Sequence, residues 1–111
     1  VPYHYEKPVV ILMNERTQSL AEYTIMMFRD GHNTIVIGSN SVGSDGNLAY
    51  LYGPEGNILQ FSGVGILTAE GEQTQRVGLS PDIYVEPTVS GIKEGKDELI
   101  EAAVQYIVSN K

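Results

Sequence analysis

Residues 8–38 read PVVILMNERTQSLAEYTIMMFRDGHNTIVIG, and the change of pattern along them decides the fold class. Residues 8–13, PVVILM, form a short continuous apolar run. A run without polar alternation is what a strand covered on both faces of a sheet requires. Residues 14–19, NERTQS, are polar and loop-like. Beyond them Ala21, Ile25 and Phe28 recur at i, i+4 and i+7, flanked by Leu20 and Met27. That spacing predicts an amphipathic helix with this stripe against the core, and Gly31 supplies its stop. Residues 34–37, TIVI, give a second short apolar strand. Strand, helix and strand within about 30 residues is the βαβ unit of an α/β fold.

Further along, residues 38–46, GSNSVGSDG, read as a loop. Residues 47–52 and 58–61 flank Gly53-Pro54-Glu55-Gly56-Asn57, which is hairpin turn chemistry. Residues 64–67 are expected to form another short strand, with a turn at residues 69–72. Residues 82–85 are brief and strand-like, ended by Pro87. Residues 88–96 come nearest to a linker. The last helix is expected to start near Asp97, with Ile100, Val104 and Ile107 as its apolar stripe and Ala103 in support.

Composition excludes several functions. At 111 residues the chain has room for one domain, and 41% hydrophobic with 19% charged residues is a globular balance. The net charge of −7 repels phosphate backbones, so no nucleic-acid partner is expected. The absence of cysteine removes disulfides, thiolate metal sites and cysteine catalysis together. No apolar run reaches the roughly 18 residues a membrane span needs. Neither paired histidines nor EF-hand spacing occurs, so no metal or cofactor is expected. The chain opens Val1-Pro2-Tyr3 rather than on methionine, which suggests a processed or excised piece, any targeting sequence lost with the rest.

The residue best placed for chemistry is Ser19, between the first strand and the helix. Orphan backbone N–H groups and the positive end of the helix dipole gather there, and a serine nucleophile needs such donors for its oxyanion. The N–H of Leu20 is one candidate donor. Ser19-Leu20-Ala21-Glu22 equally matches a capping box, and the two roles are compatible. A nucleophilic serine also needs a base. His4 lies in a polar N-terminal stretch. His32 follows the far end of a helix that is about 18 Å long at roughly 12 residues, out of reach of Ser19. Lys7, Lys93, Lys96 and Lys111 sit near element ends and read as solvated. Either the base lies outside the chain or Ser19 is structural. Gly38 and Gly43 have the spacing of a phosphate-binding loop, but Ser44-Asp45 stands where its Lys and Ser/Thr belong. Asp82, after Pro81, reads as a turn or capping residue.

Three segments in order resemble the tail-specific, C-terminal processing serine peptidases (peptidase family S41, tricorn-like branch). They are VVILMNERTQSLAEYTIMMFR at residues 9–29, VIGSNSVGSDGNL at residues 36–48 and QTQRVGLSPDIYVEPT at residues 73–88, followed by a tail that resembles the closing helix. The resemblance covers roughly residues 8–107. It implies an α/β, crotonase/ClpP-like fold with a mixed sheet, a helix after the nucleophile and a C-terminal helix. It also implies that residues 1–111 are the C-terminal part of a catalytic domain whose upstream part is missing.

The same resemblance implies Ser19 as nucleophile. One branch of the family activates its serine with a lysine, and that place is Ser44-Asp45 here. The tricorn-like branch uses a histidine from earlier in the domain, supported by an acid whose position matches Gln75. Glu72 is a nearby substitute. The implied function is a serine endopeptidase cutting a protein or peptide through an acyl-enzyme on Ser19, with the base supplied from outside this chain and little activity in the piece alone. The upstream part of the same domain is then a partner, and apolar surface left open for it favours self-association. Family analogy places such proteins in the bacterial periplasm or cell envelope. The alternative is a non-catalytic peptide- or ligand-binding module of the family. A third reading, an acyl-CoA-handling relative, rests on fold analogy alone and lacks a basic cluster for the CoA phosphates.

Overall fold

The computed structural model describes residues 5–31 and 33–110, so His4 and His32 lie outside the described residues. The apolar run becomes strand β1, Val9–Met13, and the TIVI segment becomes β2, Thr34–Gly38. They pair in parallel, from Val9 opposite Thr34 to Met13 opposite Gly38. Parallel neighbours need a crossover, and helix α1, Leu20–Arg29, supplies it. β3, Leu48–Tyr52, and β4, Ile58–Ser62, form the expected antiparallel hairpin around residues 53–57. β5, Ile83–Tyr84, pairs in parallel with the other edge of β2. Parallel and antiparallel pairing therefore both occur, in two separate sheets, β1-β2-β5 and β3-β4.

β2 is the centre of the parallel sheet. Val36 and Ile37 are both 0% exposed, and successive strand residues face opposite ways, so both faces are covered. Val36 joins Met13, Ile25 and Leu79 in one core cluster, with α1 packed on β2. Helix α3, Glu98–Ser109, packs against β1 and β2. Gly38 ends β2 at φ 140°, where a Cβ would collide with the Met13 carbonyl across the ladder.

Four expectations are corrected. Residues 64–67 form no strand, and Leu67 makes only an isolated bridge to Gln73. Residues 88–96 are not a linker. They hold helix α2, Val89–Glu94, whose N-cap Thr88 accepts the Gly91 N–H at 2.9 Å and whose C-cap is Gly95 at φ 69°. A helix of six residues is too short to show a period, and only its caps betray it.

The helix faces also differ. α1 turns Glu22, Ile25, Met26 and Arg29 inward and leaves Leu20, Met27 and Phe28 exposed. α3 turns Leu99, Ala102, Ala103 and Tyr106 inward and leaves Ile100, Val104 and Ile107 exposed. Each helix therefore carries a second apolar stripe facing outward. The hairpin is open as well, with Tyr52, Ile58 and Leu59 all at least 60% exposed. The radius of gyration is 17.5 Å, against about 13 Å for a compact domain of this length. No helix among the described residues is long and apolar enough to cross a membrane.

Candidate active site

In a parallel sheet every strand ends at the same edge, and the loops gathered there make the usual site of α/β folds. Here residues 14–19 follow β1 and residues 39–47 follow β2. They are laced together: Val42 N–H donates to Thr17 O at 2.9 Å, and Ser19 N–H donates to Ser44 O at 2.9 Å. The segment before β5 joins them, with Ser41 N–H donating to Leu79 O at 3.1 Å and Arg76 N–H to Gly43 O at 2.7 Å.

Ser19 occupies the turn from strand to helix at φ 55°, ψ −123°. This is a left-side conformation that a residue with a Cβ adopts at a cost of about 1–3 kcal/mol, held only where the surroundings over-determine it. The residue is exposed. Of the capping box, the glutamate half is a full hydrogen bond, Ser19 N–H to Glu22 Oε2 at 2.9 Å. The serine half is a looser approach to the Glu22 N–H, without a side-chain cap hydrogen bond of normal geometry. The hydroxyl is therefore only loosely engaged in closing the helix. The Leu20 N–H, one of the helix's orphan donors, has no acceptor among the described residues. A hydroxyl on a strained strand-to-helix turn, with the next N–H unoccupied among the described residues, is the arrangement a serine nucleophile and its oxyanion donor require.

Beside Ser19 lies a cavity of about 380 Å³, lined by Leu20, Tyr23, Asp45, Asn47, Val64 and Ile66 among others. Among the described residues no lysine, arginine or histidine lines it. Asp45 is 4% exposed; its Oδ1 accepts the Gly46 N–H at 2.6 Å, and its buried Oδ2 has no hydrogen-bond partner among the described residues. Asp45 also lines the next cavity, of about 490 Å³, together with Gln75. Asp45 is thus the residue shared by the cavity at Ser19 and the cavity at Gln75. The Gln75 Nε2 donates to Asp45 O and to Val64 O, both at 2.8 Å. Both partners are carbonyls, which can only accept, so the amide orientation is chemically fixed. Its Oε1 remains as the acceptor. Glu72 belongs elsewhere, in a cavity of about 360 Å³ with Arg29 and Asp82.

The motif VVILMNERTQSLAE thus supplies the strand and the strained turn, and the segments at residues 36–48 and 73–88 supply the two loops bonded around it. The profile of peptidase family S41 matches residues 2–85, more than half of the chain. The chain belongs to peptidase family S41. The carboxy-terminal-processing protease of Bartonella bacilliformis is similar, 27% identical over 92 residues that make up 83% of this chain and 21% of that protein. The chain therefore spans about a fifth of the length of this S41 relative. Among solved structures, a Parabacteroides merdae protein described as a candidate peptidase matches with a TM-score of 0.86 and 27% identity, over 93% of this chain and 32% of that one. Mature CPAF in complex with lactacystin matches with a TM-score of 0.81 and 21% identity, over 96% of this chain and 22% of that one. The α/β fold is that of S41 protease domains, and the chain is a serine peptidase family domain by membership.

The sequence indicated Ser19, Leu20 and Gln75. It did not indicate Asp45 as buried, nor the reach of Glu22. Glu22 is 0% exposed and, besides Ser19 N–H, accepts Ser41 Oγ–H at 2.5 Å, Gly43 N–H at 2.7 Å and Ser44 N–H at 3.1 Å. The capping box accounts for the first of these contacts only. The Ser-x-Gly turn at residues 41–43, which carries two of the other donors, was visible, with Ser44 directly after it, but nothing in sequence spacing ties them to Glu22.

Proposed function

We propose that residues 1–111 are the nucleophile-bearing, C-terminal part of a serine endopeptidase domain, acting through an acyl-enzyme on Ser19 with its general base supplied from outside this chain. The observation that carries the reading is Ser19 itself: a strained, exposed serine whose hydroxyl makes no full cap hydrogen bond and whose neighbour's N–H has no acceptor among the described residues. The Ser19 hydroxyl attacks the scissile carbonyl carbon and its proton passes to the imported base. The Leu20 N–H faces the oxyanion that forms. The base then delivers the proton to the leaving amine, and water hydrolyses the acyl-enzyme by the same steps. Gln75 Oε1 accepts from the N–H of an incoming imidazole and so orients it, without the charge by which a carboxylate would stabilise imidazolium.

Two observations support the incomplete-domain part of this reading. The radius of gyration exceeds that of a compact chain, with apolar faces of α1, α3 and the hairpin uncovered. The relatives are three to five times longer than the stretch they share with this chain. A binding module of the same family is the second reading, favoured by the neutral Gln75 and by Ser44-Asp45 at the lysine place.

The deciding experiment uses the full-length gene product. Wild type is expected to be labelled by a phosphonate probe and to hydrolyse casein or peptides, and Ser19→Ala to lose both while keeping its circular dichroism spectrum. Equal activity in the two proteins, or none in either, moves the assignment to the binding module.

A further inference from the structure

Glu22 is a buried carboxylate that no cation faces among the described residues. Such a group is costly unless its lone pairs are filled, and here they are filled completely. Oε1 accepts Ser41 Oγ–H and Gly43 N–H; Oε2 accepts Ser19 N–H and Ser44 N–H. Four donors on two oxygens is the full capacity of an ionised carboxylate. One of the four is the backbone of the strained serine, and the other three belong to the loop that crosses beside it. Ser41 extends the linkage, because its Oγ also accepts the Leu79 N–H at 2.7 Å.

We infer that Glu22 is a positioning residue for the nucleophile: its carboxylate holds Ser19 in the strained turn and ties that turn to the loop at residues 41–44. The inference rests on the peptidase reading for its consequence in catalysis. A helix cap alone would need one acceptor for the Ser19 N–H, and a glutamine serves as well in a capping box. Four converging donors need a carboxylate, because an amide offers one acceptor oxygen and turns two N–H groups on the remaining donors. The strain at Ser19 has a matching requirement. Its N–H is held twice, by Glu22 Oε2 and by Ser44 O, and Ser44 N–H is in turn held by the same Oε2. Releasing Oε2 leaves Ser19 held only through Ser44 O, with Ser44 itself unanchored, and Ser19 relaxes away from the position that leaves the Leu20 N–H open.

The test compares Glu22→Gln with Ser41→Ala in the full-length protein. Ser41→Ala removes one donor from Oε1 and leaves both Oε2 contacts in place. Glu22→Gln is expected to lower kcat on a peptide substrate about 100-fold, the scale of an ångström-level misplacement, with KM nearly unchanged. Ser41→Ala is expected to lower the melting temperature while keeping kcat within a few-fold. Wild-type kcat in folded Glu22→Gln, or kcat losses in both variants that merely track melting temperature, overturns the inference.

A stability cycle supplies a readout independent of activity. If Glu22 restrains strain at Ser19, adding Ser19→Gly reduces the destabilisation caused by Glu22→Gln. Should Glu22→Gln alone fail to fold, recovery of folding in the double variant supports the inference, and equal instability overturns it. A wild type inactive in hydrolysis and labelling would sink the peptidase reading alone, since the cycle still reports the coupling.

Discussion

Asp82 and Val36 are bonded twice: Asp82 N–H donates to Val36 O at 2.8 Å, and Asp82 Oδ2 accepts the Val36 N–H at 2.7 Å. The aspartate thus completes the ladder at the point where β5 has not yet begun, and it satisfies a buried N–H of the central strand. Arg29 braces it from α1 through Asp82 Oδ1 at 3.4 Å and through the Ser80 carbonyl. Asp82→Ala orphans the Val36 N–H and is expected to cost about 1–3 kcal/mol, the usual penalty for an unsatisfied buried donor. Asp82→Asn keeps an acceptor at that place and is expected to cost less. Urea melts of both variants check the order, and equal losses would show that the ion pair with Arg29, not the Val36 bond, is what matters.

Ser19→Gly is expected to stabilise the protein by about 1 kcal/mol while abolishing the proposed peptidase activity of the full-length protein. Glycine adopts positive φ without the Cβ penalty that serine bears at φ 55°. Ser19→Ala removes the same hydroxyl but retains the Cβ, so it is expected to gain little. A thermal melt of the two variants separates strain from loss of the hydroxyl. If alanine and glycine behave alike, the turn is not strained.

The βαβ unit was legible because strands buried on both faces and a crossover helix leave strong local patterns in residues 8–38. Which face of the helix turns inward was legible only in part. Of the expected α1 stripe Ala21, Ile25 and Phe28, only Ile25 is buried; Ala21, Phe28 and the flanking Leu20 and Met27 are exposed, while Glu22 is buried. The carboxylate is drawn in by four donors from segments more than 15 residues away or at the turn itself, and no local period reports them. The same holds for α3, whose outward stripe at Ile100, Val104 and Ile107 is the more hydrophobic in sequence. Periodicity finds an apolar face, and a helix between two surfaces has two.

The candidate site was legible by halves. Ser19 and Gln75 stood in motifs with fixed neighbours. Asp45 was recognised only as the wrong residue for a phosphate loop or a lysine, because its neighbours in the cavity, Ser19, Tyr23, Val64 and Ile66, are distant in sequence. The helix at Val89–Glu94 was missed because its caps, Thr88 and Gly95, resemble loop punctuation when the helix between them is shorter than two turns.

Glu98 gives the fold an acid-sensitive joint. Its Oε1 accepts the Thr88 hydroxyl at 2.6 Å and the Thr88 N–H at 3.0 Å, which ties the start of α3 to the N-cap of α2. Those hydrogen bonds, the side-chain one first, hold its carboxyl below the ordinary glutamate range against the opposing effect of partial burial. A carboxyl with a depressed folded-state pKa binds fewer protons folded than unfolded. Its contribution is therefore complete above the ordinary glutamate range and is lost as pH falls through the depressed value. Melting temperature is expected to fall over that acidic window in wild type and to change less there in Glu98→Gln. Parallel curves for the two proteins would remove Glu98 from the acid response.

Gln75→Glu is the substitution that the family's acid invites, and the geometry argues against it. Both N–H groups of the amide point at carbonyl oxygens, Asp45 O and Val64 O, each at 2.8 Å. A carboxylate there sets oxygen against oxygen twice, losing two hydrogen bonds and adding repulsion. The expected cost is about 1–3 kcal/mol at neutral pH, since the site is only partly buried. The cost is expected to shrink in acid, where a protonated carboxyl regains one donor. Activity of the full-length protein is expected to fall with stability rather than to rise. A variant that melts like wild type and turns over faster would mean that the side chain swings free of the two carbonyls and serves the base as a true acid. Tm and kcat measured together on the same preparation distinguish the two, because the carbonyl contacts and the triad role make opposite demands on one side chain.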